Sequence, residues 1–231
     1  MKITVRDAAV FYGGAVAIDG ISMTISEDEG LAVVGRNGAG KTSLLRVLAG
    51  VIKPHRGSIT VDECRGRWSV ASAVAAGVRF VPESGNTFPD LSVMDNLRSG
   101  WPMGPGRKVE ARIDEVLDYF PLLRPLTNRR AGNLSGGERQ ALAVGRALVG
   151  EVRLLLLDEP SLGLSPRLGL ELLDHLETIR RRRGITVVIA EQNLAFATRL
   201  CAQLCWLQTG RLRALGPAGR LAADVREDSM T

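Results

Sequence analysis

The segment "GRNGAGKT", residues 35 to 42, gathers glycines around one lysine and closes on a hydroxyl. It matches the P-loop pattern G-x-x-x-x-G-K-[ST]. Gly35, Gly38 and Gly40 let the stretch that also holds Arg36, Asn37 and Ala39 curl until its N–H groups face an anion. The positive end of a following helix adds to that attraction. Lys41 would reach the β and γ phosphates of a nucleotide, Thr42 would ligate Mg²⁺, and Ser43 continues the cradle. A second segment, "LLLLDEP", sets Asp158 and Glu159 at the end of an apolar run. Burying either acid unpaired costs on the order of several kcal/mol, so a cation must meet them. The P-loop supplies one: Asp158 stands where such a site holds Mg²⁺, and Glu159 can take a proton from the attacking water or orient it. A third segment, "LSGGE" at 134 to 138, offers the Ser135 hydroxyl and the N–H groups of Gly136 and Gly137 at a helix start, with Glu138 behind them. That is a second anion site. Two phosphate sites in one chain make sense if they close on one nucleotide from two subunits.

The elements that must position these groups alternate. Strand-like runs read at "KITV", "GISMTI", "LAVVG", "GSITV" and "GVRFV", and the P-loop falls between the third of these and an amphipathic helix. From 92 to about 149 the pattern turns helical, punctuated by Pro102, Pro105, Pro121 and Pro125. "RLLLLD" and "GITVVIA" then read as buried strands flanking the helix "RLGLELLDHLETIRRRR", followed by a helix at "NLAFATRL" and strands around the turn "TG". Continuous apolar strands separated by helices predict an α/β fold with a parallel sheet covered on both faces. The carboxylate-bearing strand is expected beside the P-loop strand. The helical stretch, roughly 88 to 149, is expected as an insertion into that core.

The chain has 231 residues, 45% hydrophobic and 24% charged, which excludes a disordered chain and suits one large domain with a substantial core. The N-terminus "MKITVRD" carries charge where a signal peptide needs an apolar stretch, and no run of about 18 apolar residues occurs. Cys64, Cys201 and Cys205 show no metal or disulfide spacing, and the latter two read as buried thiols of a reducing compartment. A cytoplasmic chain is expected. The net charge of +5 suits several anionic partners. Arg180 to Arg183 carry no interleaved aromatics, so they read as a solvated helix end before Gly184 rather than a nucleic-acid patch.

The order P-loop, "LSGGE", "LLLLDEP" resembles the ATP-binding cassette (ABC) family over essentially the whole length. The resemblance implies a P-loop NTPase (RecA-like) core with an N-terminal antiparallel β-subdomain and an inserted α-helical subdomain. It divides the single domain, 1–231, into a core of 1–87 and 150–231 and a helical signature subdomain of 88–149. It implies ATP hydrolysis with Mg²⁺ and a head-to-tail dimer that sandwiches two ATPs between each P-loop and the opposing signature. Tyr12 in "FYGG" looks like the aromatic that stacks on adenine; read alone, it could equally be a packed strand residue. Three positions depart from the family. Glu83 replaces the usual glutamine and keeps an oxygen for Mg²⁺. Ser165 ends the D-loop "SLGLS" where aspartate is common. Gln192 stands for the switch histidine; it can donate to a γ-phosphate but cannot relay a proton.

These departures, with "FPDLSVMDNL" and "AEQN", resemble the LivF-type ATPases of high-affinity branched-chain amino acid importers. "ESGNTF" lacks the basic residues that the subgroup resemblance would place after "VPE". On this resemblance the chain pairs with a sister ATPase or with itself, beneath two transmembrane permease subunits fed by a solute-binding protein. It would lie at the inner face of the membrane with residues 83 to 97 receiving the permease, and nucleic acid is not an expected partner. ATPases for urea, amide or lipid-type transport, or a non-transport ABC ATPase, are the alternatives.

Overall fold

The computed structural model describes residues 1–27, 30–62, 67–85, 87–101 and 107–230. Cys64, Pro102 and Pro105 lie outside them, as does Asn86 of "ESGNTF". The N-terminal strands β1 (Ile3–Tyr12) and β2 (Ala15–Ile25) form an antiparallel hairpin. Its turn uses Gly13 and Gly14, at φ 53° and 88°, where a side chain would be strained. After β3 (Leu31–Val34) and helix α1 (Lys41–Leu48), strand β4 (Arg56–Val61) returns to the free edge of β1 and completes a three-stranded sheet.

The second sheet has six strands. β5 (Val78–Val81), β6 (Leu154–Asp158), β7 (Thr186–Glu191), β3 and β8 (Gln203–Gln208) run parallel in that order, and β9 (Arg211–Pro217) pairs antiparallel with β8 at the edge. The period of two along a strand explains the four leucines of β6. Leu154 and Leu156 face one core, shared with α1 and the N-terminal sheet. Leu155 and Leu157 face the other, shared with the helices on the far side. Each fully buried leucine contributes roughly 1.5–3 kcal/mol, so a sheet covered on both faces gains from every position.

The strand order corrects one expectation. β6 is not the neighbour of β3, because β7 lies between them. Parallel strands are joined by crossovers, so order along the chain does not fix order in the sheet. The site survives this because α1 packs against both β6 and β7, and the first turn of α1 overlies the end of β6.

Between β5 and β6 come α3 (Val93–Ser99), α4 (Arg107–Tyr119), two 3₁₀ turns (Pro121–Leu126 and Ala131–Asn133) and α5 (Gly136–Val149). α6 (Pro166–Arg183) and α7 (Leu194–Leu200) follow β6 and β7. Two helices carried no clear sequence signal: the short α2 (Val70–Ala75), closed by a Ser69–Ser72 capping box, and α8 (Ala218–Met230) after the last strand. The arginine run also needs correction. Arg181 and Arg182 are exposed, but Arg183 is not part of a solvated end. Its guanidinium pairs with Glu115 at 2.9 Å, donates to the Leu148 carbonyl at 2.5 Å and lies over the Tyr119 ring, tying α6 to the inserted helices. Cys201 and Cys205 are buried, as expected, and burial pushes each thiol up to about 12.

Candidate nucleotide site

β3 delivers the chain directly into the glycine loop. At its far end Gly40 adopts φ 103°, and a Cβ there would meet the Ala17 carbonyl at 2.4 Å, so only glycine fits. Gly40 is also the N-cap of α1. No side chain caps the helix there, and no acid occupies its first turn. The N–H groups of that turn and the positive helix end are therefore left for an external anion.

Lys41 is 4% exposed and curls back over the loop. Its Nζ donates to the carbonyls of Gly35 at 3.0 Å and Arg36 at 3.4 Å, and pairs with Glu159 Oε1 at 3.1 Å. Thr42 Oγ1 donates to Asp158 Oδ1 at 3.1 Å, which joins the P-loop helix to β6. Asp158 is 2% exposed. Burial pushes its carboxyl above the usual range, the Thr42 hydroxyl pulls it back, and the neighbouring Glu159 and Glu83 push it up again. A divalent cation would relieve both the burial and the repulsion. The available donors, a hydroxyl and carboxylates, are the hard oxygens that Mg²⁺ prefers. Among the described residues no three His, Cys, Asp or Glu side chains form a metal cage, so the remaining ligands would come from phosphate and water, the usual arrangement for Mg²⁺.

Glu159 sits in the left-handed region at φ 46°, and its N–H donates to the Ala190 carbonyl at 2.9 Å. This turn costs on the order of 1 kcal/mol or more for a non-glycine residue and swings the carboxylate off the end of β6. Besides Lys41, that carboxylate accepts from Gln192 Nε2 at 3.0 and 2.9 Å. The same amide nitrogen donates to Asn37 Oδ1 at 2.7 Å. Gln192 thus bridges the glycine loop and the acid that would handle water.

These groups open into a cavity of about 450 Å³ lined by Tyr12, Lys41, Thr42, Glu83, Glu159 and Gln192. Tyr12 is 45% exposed at the rim of this cavity, not packed in the core. A larger cavity of about 860 Å³ lies between the glycine loop and α8. It shares Asn37, Gly38, Ala39 and Gln192 but none of Lys41, Thr42 and Glu159, so the chemistry belongs to the smaller one.

The "LSGGE" residues are elsewhere. Ser135 caps α5 and Glu138 closes a capping box: Ser135 N–H donates to Glu138 Oε2 at 2.7 Å, and Glu138 N–H to Ser135 Oγ at 3.4 Å. The Glu138 carboxylate is therefore committed to holding the helix start. Ser135, Gly137 and Glu138 line a different cavity, with Leu164 and Leu168. Within one chain the two anion sites do not meet.

Sequence reasoning missed Glu191. It closes β7, is 2% exposed, and accepts from the N–H groups of Ser161 at 3.0 Å, Gln192 at 3.1 Å and Asn193 at 3.2 Å. The available signal was an acid ending the otherwise apolar run "TVVIAE".

A phosphate cradle whose lysine rests against the acid at the end of β6 is the chemistry of a P-loop nucleotide hydrolase. The ABC transporter family pattern matches residues 18–162, from within β2 to the start of the D-loop, and the chain belongs to that family. It is an ATP-binding, ATP-hydrolysing subunit of an ABC transporter. It is 37% identical over 206 residues to the high-affinity branched-chain amino acid transport ATP-binding protein BraG of Pseudomonas aeruginosa, covering 88% of each chain. It is 34% identical over 202 residues to the probable branched-chain amino acid transport ATP-binding protein LivF of Archaeoglobus fulgidus, covering 87% of this chain and 86% of that one. Identity to the molybdenum import ATP-binding protein ModC of Rhizobium etli is 35%, over 89% of this chain and 58% of that protein. The ADP conformation of MJ1267, an ATP-binding cassette of an ABC transporter, has the same fold, with a TM-score of 0.86 at 23% identity over 100% of this chain and 99% of that one.

Proposed function

We propose that this chain energises the import of branched-chain or closely related amino acids. The observation that carries this reading is the match to BraG and LivF along nearly the full length of both partners, where ModC extends well beyond the region it shares. Glu83 and Gln192, which depart from the wider family pattern, agree with it. In this reading Tyr12 stacks on adenine, residues 35–43 hold the phosphates, and Thr42, Asp158 and Glu83 hold Mg²⁺. Mg²⁺ would neutralise charge developing on the phosphates. Glu159 takes a proton from or orients the attacking water, and Gln192 holds Glu159 in place.

Residues 88–149 act as the signature subdomain within a core of 1–87 and 150–231. The Ser135–Gly137 helix start completes the site of a second ATPase, either a sister chain or another copy. The separation of the two anion sites in one chain supports this arrangement. Two permease subunits dock against residues 83 to 97, where Phe88 is 43% and Leu91 39% exposed, and a solute-binding protein feeds them. No helix among the described residues is long and apolar enough to cross a membrane, so attachment to the inner face runs through those permeases.

The relatives that import molybdenum and ferric ions or export Nod factor favour a second reading, a cassette serving another solute. Assembly with candidate permease subunits and a solute-binding protein in proteoliposomes separates the two. Leucine or valine should stimulate ATP hydrolysis; stimulation by an oxyanion, a metal ion or urea alone would overturn the amino-acid assignment. The isolated chain should show ATPase activity that rises with protein concentration, because each site needs a second chain. Concentration-independent hydrolysis by a proven monomer would contradict the shared site.

Gln192→His tests the missing switch. Imidazolium offers two N–H donors, enough for two of Glu159, Asn37 and a γ-phosphate, whereas neutral imidazole offers one. We expect single-turnover hydrolysis to rise at pH 6 by less than about 10-fold, far below the roughly 10²- to 10⁴-fold of general acid–base catalysis, and to lose that gain at pH 8. A lowered rate at both values would make Gln192 an adapted contact rather than a weakened switch.

A further inference from the structure

β6 and β7 are neighbouring parallel strands, and each gives way at its C-terminal end to a loop that carries part of the site. The β6 loop holds Glu159 and then the D-loop, residues 161 to 165. The β7 loop holds Gln192. The last backbone bond between them is Glu159 N–H to the Ala190 carbonyl, so beyond it the two loops depend on side chains for their relative position. Two side chains span the gap: Gln192, which donates to Glu159, and Glu191, which reaches the D-loop itself. Glu191 Oε1 accepts from Ser161 N–H at 3.0 Å, while Oε2 accepts from Gln192 N–H at 3.1 Å and Asn193 N–H at 3.2 Å. The Ser161 hydroxyl also bonds to this carboxylate.

The position of this tie matters because the D-loop faces two ways. Leu162 borders the nucleotide cavity, and Leu164 borders the cavity of the "LSGGE" helix start. Any displacement of the D-loop therefore reaches Ser161, and through the Glu191 carboxylate it reaches the backbone of Gln192. Gln192 in turn holds Glu159 and Asn37.

We infer that Glu191 is a positioning residue for ATP hydrolysis, clamping the D-loop to the switch loop so that Gln192 presents Glu159 correctly only when the D-loop is in place. The inference rests on the roles proposed for Glu159 and Gln192. Its chemistry is that of a carboxylate accepting three N–H bonds at once, which no isosteric neutral group can do. In Glu191→Gln the amide nitrogen must face at least one N–H group, so either the Ser161 side or the Gln192–Asn193 side of the clamp opens.

The test is single-turnover hydrolysis by the assembled transporter, with ATP KM and thermal stability measured alongside. Glu191→Gln should lower kcat by about 10- to 100-fold, the range for a lost hydrogen bond to a charged group, and leave KM within about two-fold. Ser161→Ala, which removes the hydroxyl bond alone, should give a smaller loss of the same kind and keeps the test open if Glu191→Gln folds poorly. In a Gln192→Ala background both substitutions should cost less than about three-fold, because Glu191 acts through Gln192. Full additivity in that cycle, or a loss shared between KM and kcat, would overturn the clamp. Gln192→Ala losing activity while Glu191→Gln and Ser161→Ala keep it would overturn the clamp alone. No loss in Gln192→Ala would overturn the reading on which it rests.

Discussion

Lys41→Ala should weaken ATP binding by at least about 100-fold. Each hydrogen bond to a charged group is worth about 1.5–3 kcal/mol, and two such bonds from one ammonium to phosphate oxygens amount to roughly 10²- to 10⁴-fold in affinity. The structure places the expected value toward the lower end. Lys41 already holds Glu159 and two loop carbonyls, so phosphate bonds replace existing ones rather than add to solvent exposure. The variant should fold, because the carboxylate left behind still accepts from Gln192. Titration calorimetry with ATP and Mg²⁺ measures the effect, and an affinity within three-fold of the parent would remove Lys41 from the phosphate site.

Glu159→Gln should give the opposite pattern. Hydrolysis falls by roughly 10²- to 10⁴-fold as the proton acceptor is lost. ATP affinity is held or rises a few-fold, because the anion that competes with phosphate for Lys41 has gone. An ATP-bound dimer should then accumulate, visible by size-exclusion chromatography with multi-angle scattering. The two variants together separate the roles: equal loss of affinity in both would show that Glu159 supports the lysine and does not act on water.

The segments proposed to bind and react were largely legible along the chain, for a physical reason. The P-loop needs glycines at fixed steps, since a Cβ at Gly40 would strike the Ala17 carbonyl, so its composition is a local signature. The lysine, the hydroxyl and the helix start follow within three residues. The "LLLLDE" run was equally direct, because a strand buried on both faces must be apolar at every position until it reaches the acids. The start of α5 was marked by the Ser135 and Glu138 pair that closes its cap.

Tertiary structure decided what local pattern could not. Only the sheet order shows that β7 separates β6 from β3, and only the seat of α1 across β6 and β7 explains how Thr42 still meets Asp158. Arg183 reads as one cation among four; its burial against Glu115 and Tyr119 depends on where the inserted helices fold back. Along the chain Glu191 stands alone at the end of an apolar run, and it meets the D-loop only because Ser161, thirty residues earlier, returns beside it. The sequence by itself determined the P-loop, the acids that end β6 and the capped start of α5, since each lies in a short segment whose backbone requires particular residues. The fold decided which groups meet, since contacts between distant segments depend on crossovers and packing that no short window contains.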